Sequence, residues 1–189
     1  MTNLSQHLAK GESLRWSGRP RQGIVFRSSD ALMIPFSILW AGFAFFWEAT
    51  VLRQGGSAFF ALWGIPFVLV GLYVTVGRFF YDAVRRGKTE YGVTDQRIII
   101  DGPRGTLTSL ELGAVGEITL STKGDGSGTI VFGPSNLMTT MYAGTPWPGV
   151  KLPPAFDLIP DARHVYETIR ELKQRGGQAV RATTNSGAR

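Results

Sequence analysis

Cysteine is absent from the 189 residues. That excludes a disulfide framework, a thiolate metal site and a thiol nucleophile, and it fits a reducing compartment. Histidine occurs only at His7 and His164. Neither belongs to a His-x-x-x-His or Glu-x-x-His motif, so a zinc site of recognisable spacing is excluded. A Gly-x-Ser-x-Gly elbow is also missing. The run Lys123-Gly124-Asp125-Gly126-Ser127-Gly128 has the composition of a phosphate loop. Such loops lead from a strand into a helix N-terminus, whose amides hold the anion. This one joins two expected strands and reads as a hairpin turn. The residues therefore offer no catalytic set, no cofactor motif and no metal ligands, and the chain reads as a non-enzyme.

Charge is missing from two long stretches. Residues 31–47 read ALMIPFSILWAGFAFFW and residues 58–77 read AFFALWGIPFVLVGLYVTVG. A bilayer core of ~30 Å is crossed by about 20 helical residues. We read transmembrane helices at 31–52, with Glu48 near the headgroups, and at 58–79, closed by Arg78. Pro35 and Pro66 are compatible with membrane helices. The connection, residues 53–57, allows only a tight antiparallel turn. Residues 1–30 hold Glu12, five Lys/Arg and no apolar run long enough for a signal sequence.

The net charge is +6. The basic residues cluster beside the apolar spans, which favours an anionic membrane surface over nucleic acid. Lys10, Arg15, Arg19, Arg21 and Arg27 precede the first span; Arg78, Arg85, Arg86 and Lys88 follow the second. The connecting loop has only Arg53. By the positive-inside rule both termini are cytoplasmic and the protein is a multi-pass protein of the inner membrane. Arg78, Arg85, Arg86 and Lys88 are candidates for contact with anionic lipid headgroups.

Small residues recur at helical spacing: Ser37, Ala41 and Ala44 in the first span, Ala61, Gly64, Gly71 and Thr75 in the second. Such stripes let membrane helices approach closely, and we expect them to pack on each other. Glu48 continues the first stripe and should face the second helix near Ala61, either solvated, near Arg53, or as a functional intramembrane carboxylate.

From residue 89 the texture changes to short alternating strands separated by Gly-rich turns. Strands are expected at 89–93, 97–101, 106–112, 117–122, 129–132 and 155–158, with a weaker one at 136–142. A proline-rich loop, 145–154, carries Trp147, a candidate interface residue. An amphipathic helix starts near Pro160, with Val165, Ile169 and Leu172 on one stripe. Gly176-Gly177 should end it and leave 176–189 as a disordered tail. The domain expected at 80–175 is a strongly bent antiparallel sheet or partial barrel capped by that helix, the layout of the pleckstrin-homology (PH) superfold.

The run Tyr91-Gly92-Val93-Thr94-Asp95-Gln96-Arg97-Ile98-Ile99-Ile100 resembles a signature of bacterial PH-like domains attached to membrane hairpins. Gly11-Glu12 with Leu14, Trp16, Gly18 and Pro20 resembles the opening that precedes the hairpin in that family. Phe156-Asp157-Leu158-Ile159 with Asp161, Val165, Tyr166 and Ile169 resembles its last strand and helix. The resemblance implies a fold, a membrane location and self-assembly through the domains. It implies no settled activity. Read physically, Tyr91, Thr94 and Arg97 are structural. Thr94 or Asp95 should bond backbone amides of the turn, and Arg97 should bridge the turn's carbonyls or Asp95.

The function expected from these readings is a membrane-anchored PH-like binding or scaffold module at the cytoplasmic face. Its partners would be anionic lipid, a second copy, or another membrane protein. Two alternatives stay open: an accessory subunit of a membrane enzyme or transport complex, and an oligomeric pore component using Glu48.

Overall fold

The computed structural model describes residues 3–27, 29–134, 136 and 152–186. The chain forms two compact units, residues 24–84 and residues 1–23 with 85–189. The expected weak strand beyond residue 136, and Trp147, lie outside the described residues.

The first unit is helical. Helix α1 (Asp30–Arg53) has 24 residues, with Asp30 in its first turn and Arg53 in its last, each matched to the helix dipole. Helix α2 (Ala58–Leu72) passes through a turn of π-helix, Tyr73–Gly77, into α3 (Arg78–Gly87). Both Asp30–Arg53 and the continuous run Ala58–Gly87 are long and apolar enough to cross a membrane. Only 17% and 11% of their apolar windows are buried, unlike core helices of a soluble domain.

Small residues set the contact between α1 and α2. Ser37, Ala44, Gly64 and Gly71 are buried. A Cβ on Gly71 would stand 3.1 Å from Ala41 Cα, so glycine lets the two backbones approach. Thr75 Oγ1 lies 2.7 Å from Gly71 O and 3.2 Å from Ser37 O, which ties the π-turn to α1. Ala61 is half-buried.

Among its described residues the second unit holds two antiparallel sheets and one long α-helix. The first sheet runs β1 (Leu14–Gly18), β2 (Glu90–Thr94), β3 (Arg97–Asp101), β4 (Leu107–Glu111). The second runs β5 (Ile118–Thr122), β6 (Gly128–Phe132), β7 (Ala155–Ile159). Helix α4 (Ala162–Ser186) follows. Buried Tyr91, Val93, Ile98, Ile130, Phe156, Val165 and Ile169 form one core fed by both sheets and α4.

Three expectations are corrected. The sheets are separate and neither closed nor strongly curled, in place of one bent sheet or partial barrel. The break has a local cause: after β4 the chain turns, and Glu111 O accepts the amides of Ala114 and Val115, so β5 does not continue the ladder. The domain is not confined to residues 80–175, because β1 pairs with β2 and residues 1–23 belong with the chain that resumes after the hairpin. Leu4 is fully buried there, and a Cβ on Gly92 would come within 3.2 Å of its Cδ1. Third, α4 runs through Gly176-Gly177 to Ser186. The helix formers Gln178, Ala179, Arg181 and Ala182 come after the glycines, and two glycines weaken a helix without ending it.

Gly128 marks the closest approach in the domain. A Cβ there would overlap Ser121 O and stand 2.8 Å from Ala162 Cβ. Gly128→Ala should therefore destabilise the domain by roughly 1–3 kcal/mol in denaturant unfolding. A change within about 0.5 kcal/mol, the scatter of neutral surface substitutions, would contradict the packing of α4 on β6.

Candidate functional site

The two motifs of the resemblance meet in space. Thr94 ends β2 and its Oγ1 accepts the amides of Gln96 (3.2 Å) and Arg97 (2.9 Å), a side-chain turn that delivers Arg97 to the start of β3. Arg97 then reaches back to the N-terminal segment. Its Nε and Nη2 donate to the two oxygens of Glu12 at 2.9 and 3.0 Å, a bidentate pair, and Nη2 also donates to His7 O at 2.8 Å. Thr94 Oγ1 donates to Glu12 Oε1 at 2.7 Å, and the Ala9 amide donates to Oε2 at 2.7 Å. The Glu12 side chain is fully buried and that of Arg97 is 22% exposed.

Four donors saturate the Glu12 carboxylate. The Arg97 hydrogen bond leads in holding its pKa at about 2, against an ordinary 4.5, and the same bond raises that of Arg97. A group so tied neither gives nor takes a proton near neutrality. The cluster is a latch between the N-terminal segment and the β2–β3 turn. Asp95 is not Arg97's partner: it accepts the Ser13 amide at 3.1 Å and lies 4.0 Å from Arg15.

Aromatic packing joins the same motifs to the third one. Phe156 of β7 lies 4.6 Å from the Tyr91 ring, 5.6 Å from Trp16 and 5.1 Å from Phe132. The Tyr91 hydroxyl accepts the Asp157 amide at 3.1 Å. The loop 123–128 is a turn: Asp125 Oδ1 accepts from Ser127 N (3.0 Å) and Ser127 Oγ (2.6 Å), which lowers the carboxyl pKa.

The four basic candidates divide. Arg78 donates from Nη1 to Asp30 Oδ1 at 2.6 Å and from Nε to Val74 O at 2.7 Å, and lies over the Phe79 ring. Arg86 is 2% exposed and its guanidinium holds the carbonyls of Arg21 and Gly23. Both guanidiniums thus hold groups of the chain itself. Arg85 is half-buried and Lys88 is exposed. A second internal ion pair, Arg27–Asp82 at 3.3 Å, accompanies Arg78–Asp30 in the helical unit.

Glu48 faces Gly64, one turn beyond the expected Ala61: a Cβ on residue 64 would overlap its Oε2. That oxygen is buried and lacks a hydrogen-bond partner among the described residues. No group of three His, Asp or Glu that could hold a metal ion occurs among the described residues. No family model, curated protein or solved structure matches this chain.

The latch makes a pH-dependent prediction. The Glu12 pKa is lower in the folded chain, so its stabilisation is full above pH 4.5 and falls away as pH drops toward about 2. Glu12→Gln should flatten that acid limb in denaturant melts. Glu12→Ala, which strands Arg97, should cost about 3–5 kcal/mol at neutral pH. An unchanged acid limb in Glu12→Gln would show that another carboxylate governs it.

Proposed function

We propose that the chain is a non-enzymatic, membrane-anchored binding module. In this reading a PH-like domain is held at the cytoplasmic face of the cell membrane by a two-helix hairpin, where it engages partner proteins. The observation that carries the proposal is the pairing of β1 with β2. The chain leaves the domain after Gly23, runs through both apolar helices, rejoins the domain at Arg85 and enters the neighbouring strand at Glu90. Strands so paired require both ends of the hairpin to emerge on the domain's side of a bilayer. Charge counting assigns that side to the cytoplasm.

The exposed apolar surface supports the anchor. Leu39 is 74% and Phe46 72% exposed, a cost in water that hydrocarbon removes. The PH-like reading draws support from the seven antiparallel strands among the described residues, the C-terminal helix after them, and the meeting of the Glu12 and Arg97 motifs. With Arg78 and Arg86 holding groups of the chain itself, two of the four cations that follow the first span's partner helix are drawn away from anionic lipid, at ~1 kcal/mol each. Protein engagement is therefore the better-supported role.

The absence of cysteine permits a clean topology test. Ser57→Cys, between the helices, should react with an impermeant maleimide on intact cells. Glu167→Cys, on the exposed side of α4, should react only after permeabilisation. Labelling of both from one side would refute the membrane hairpin, and the opposite pattern would invert its orientation.

A further inference from the structure

The sheet that begins with β1 ends on β4, and the outer edge of β4 is open. Two bonds that flank the β3–β4 ladder fix which way its peptide groups point. Gly102 N donates to Thr106 O at one end, and Leu112 N donates to Gln96 O at the other. Hydrogen-bonded pairs alternate along an antiparallel ladder, so Thr106, Thr108, Leu110 and Leu112 turn their peptide groups toward β3. Leu107, Ser109 and Glu111 turn theirs outward. Glu111 O is taken by the amides of Ala114 and Val115. The amides of all three residues and the carbonyls of Leu107 and Ser109 have no backbone partner among the described residues. The three side chains are exposed, Leu107 by 43%.

An open edge is a template for another strand, and folds guard such edges with cations or proline. The opposite edge, β1, carries Arg15 and is followed by Arg19 and Pro20. β4 reads Leu-Thr-Ser-Leu-Glu and has neither a cation nor a proline. Its single charge, Glu111, stands opposite Arg97 in the ladder, but Arg97 is bound to Glu12. Glu111 forms no ion pair among the described residues. On the other face of the strand, Leu110 is only partly buried where it packs on the core. Building on the protein-binding role proposed above, we propose that β4 is the docking edge: it takes an extended segment of a partner protein as a further strand of the first sheet. The segment places apolar side chains beside Leu110 and a basic residue against Glu111. Backbone hydrogen bonds to Leu107, Ser109 and Glu111 supply affinity, and the two side-chain contacts supply selectivity.

The test uses the full chain purified in a neutral maltoside detergent. It is titrated into a fluorescein-labelled strand peptide, Lys-Val-Thr-Val-Thr-Val-Lys, and binding is read by anisotropy. The wild type should bind saturably, and should bind the same peptide with glutamate in place of both lysines about threefold more weakly. Glu111→Gln should erase that preference. Ser109→Pro removes an outward amide and leaves the bonds to β3 in place, a position where edge strands accept proline. It should bind about tenfold more weakly than Ser109→Ala, which loses the same contact of the Ser109 hydroxyl with Arg97. A lysine peptide N-methylated at every residue between its ends cannot donate along either edge and should not bind, whatever the folding of any variant. Lack of saturable binding, or undiminished binding of the N-methylated peptide, would overturn the proposal. Equal binding by Ser109→Pro and Ser109→Ala would keep the protein-binding role and overturn β4 as its edge. Self-association of the chain that Ser109→Pro abolishes would assign the edge to a second copy instead.

Discussion

A strand placed before the hairpin must pair with the strand placed after it. Leu14, Trp16, Ser17 and Gly18 stand opposite Thr94, Val93, Gly92 and Tyr91, with a bulge between Leu14 and Trp16. Without β1, strand β2 would be a sheet edge and Trp16 would leave its place against Phe156. The pairing must close a loop of residues 19–89, which contains the whole helical unit. Loop-closure entropy grows only with the logarithm of length, so a long excursion adds little to the cost of a short one. The Glu12–Arg97 pair and the buried Leu4 fix the N-terminal arm where β1 begins. An insertion of this kind leaves the domain's register untouched while its two ends stay adjacent.

The helical unit solves a different problem. In the membrane reading proposed above, apolar side chains gain nothing by leaving lipid for each other, so helix contact relies on close backbone approach and hydrogen bonds. Ala41 against Gly71 and Thr75 against Ser37 O supply both. Arg78–Asp30 and Arg27–Asp82 add ion pairs between the start of α1 and the α3 continuation of the second helix. Glu48 breaks this economy, since its oxygen opposite Gly64 has no partner among the described residues, and this makes it the residue that the anchor alone does not explain.

Much of this architecture is legible in the residues. Charge-free runs mark the helices, period-two patterning marks six strands to within a residue or two, and small-residue spacing places Ser37, Ala41, Gly64, Gly71 and Thr75 along one contact. Long-range facts are not legible. Leu14–Gly18 has no neighbouring strand in sequence to mark it as one, because its partner lies beyond both helices. Proximity in sequence pairs Arg97 with its neighbour Asp95, whereas its carboxylate lies 85 positions away. For Arg78 and Arg86 sequence shows the charge and not the carboxylate and carbonyls that each one holds. Gly176-Gly177 reads as a stop because breakers are local signals, whereas the helix continues on the propensity of residues 178–182.

β1 and the strands after the hairpin form one folding unit. Joining residues 1–23 to 85–189 through a short Gly-Ser linker removes the hairpin and leaves that unit whole. Thermal melting of this chain by circular dichroism should be a single cooperative transition. The same chain lacking residues 1–23 should lose it. Equal cooperative melting of the two would contradict the account.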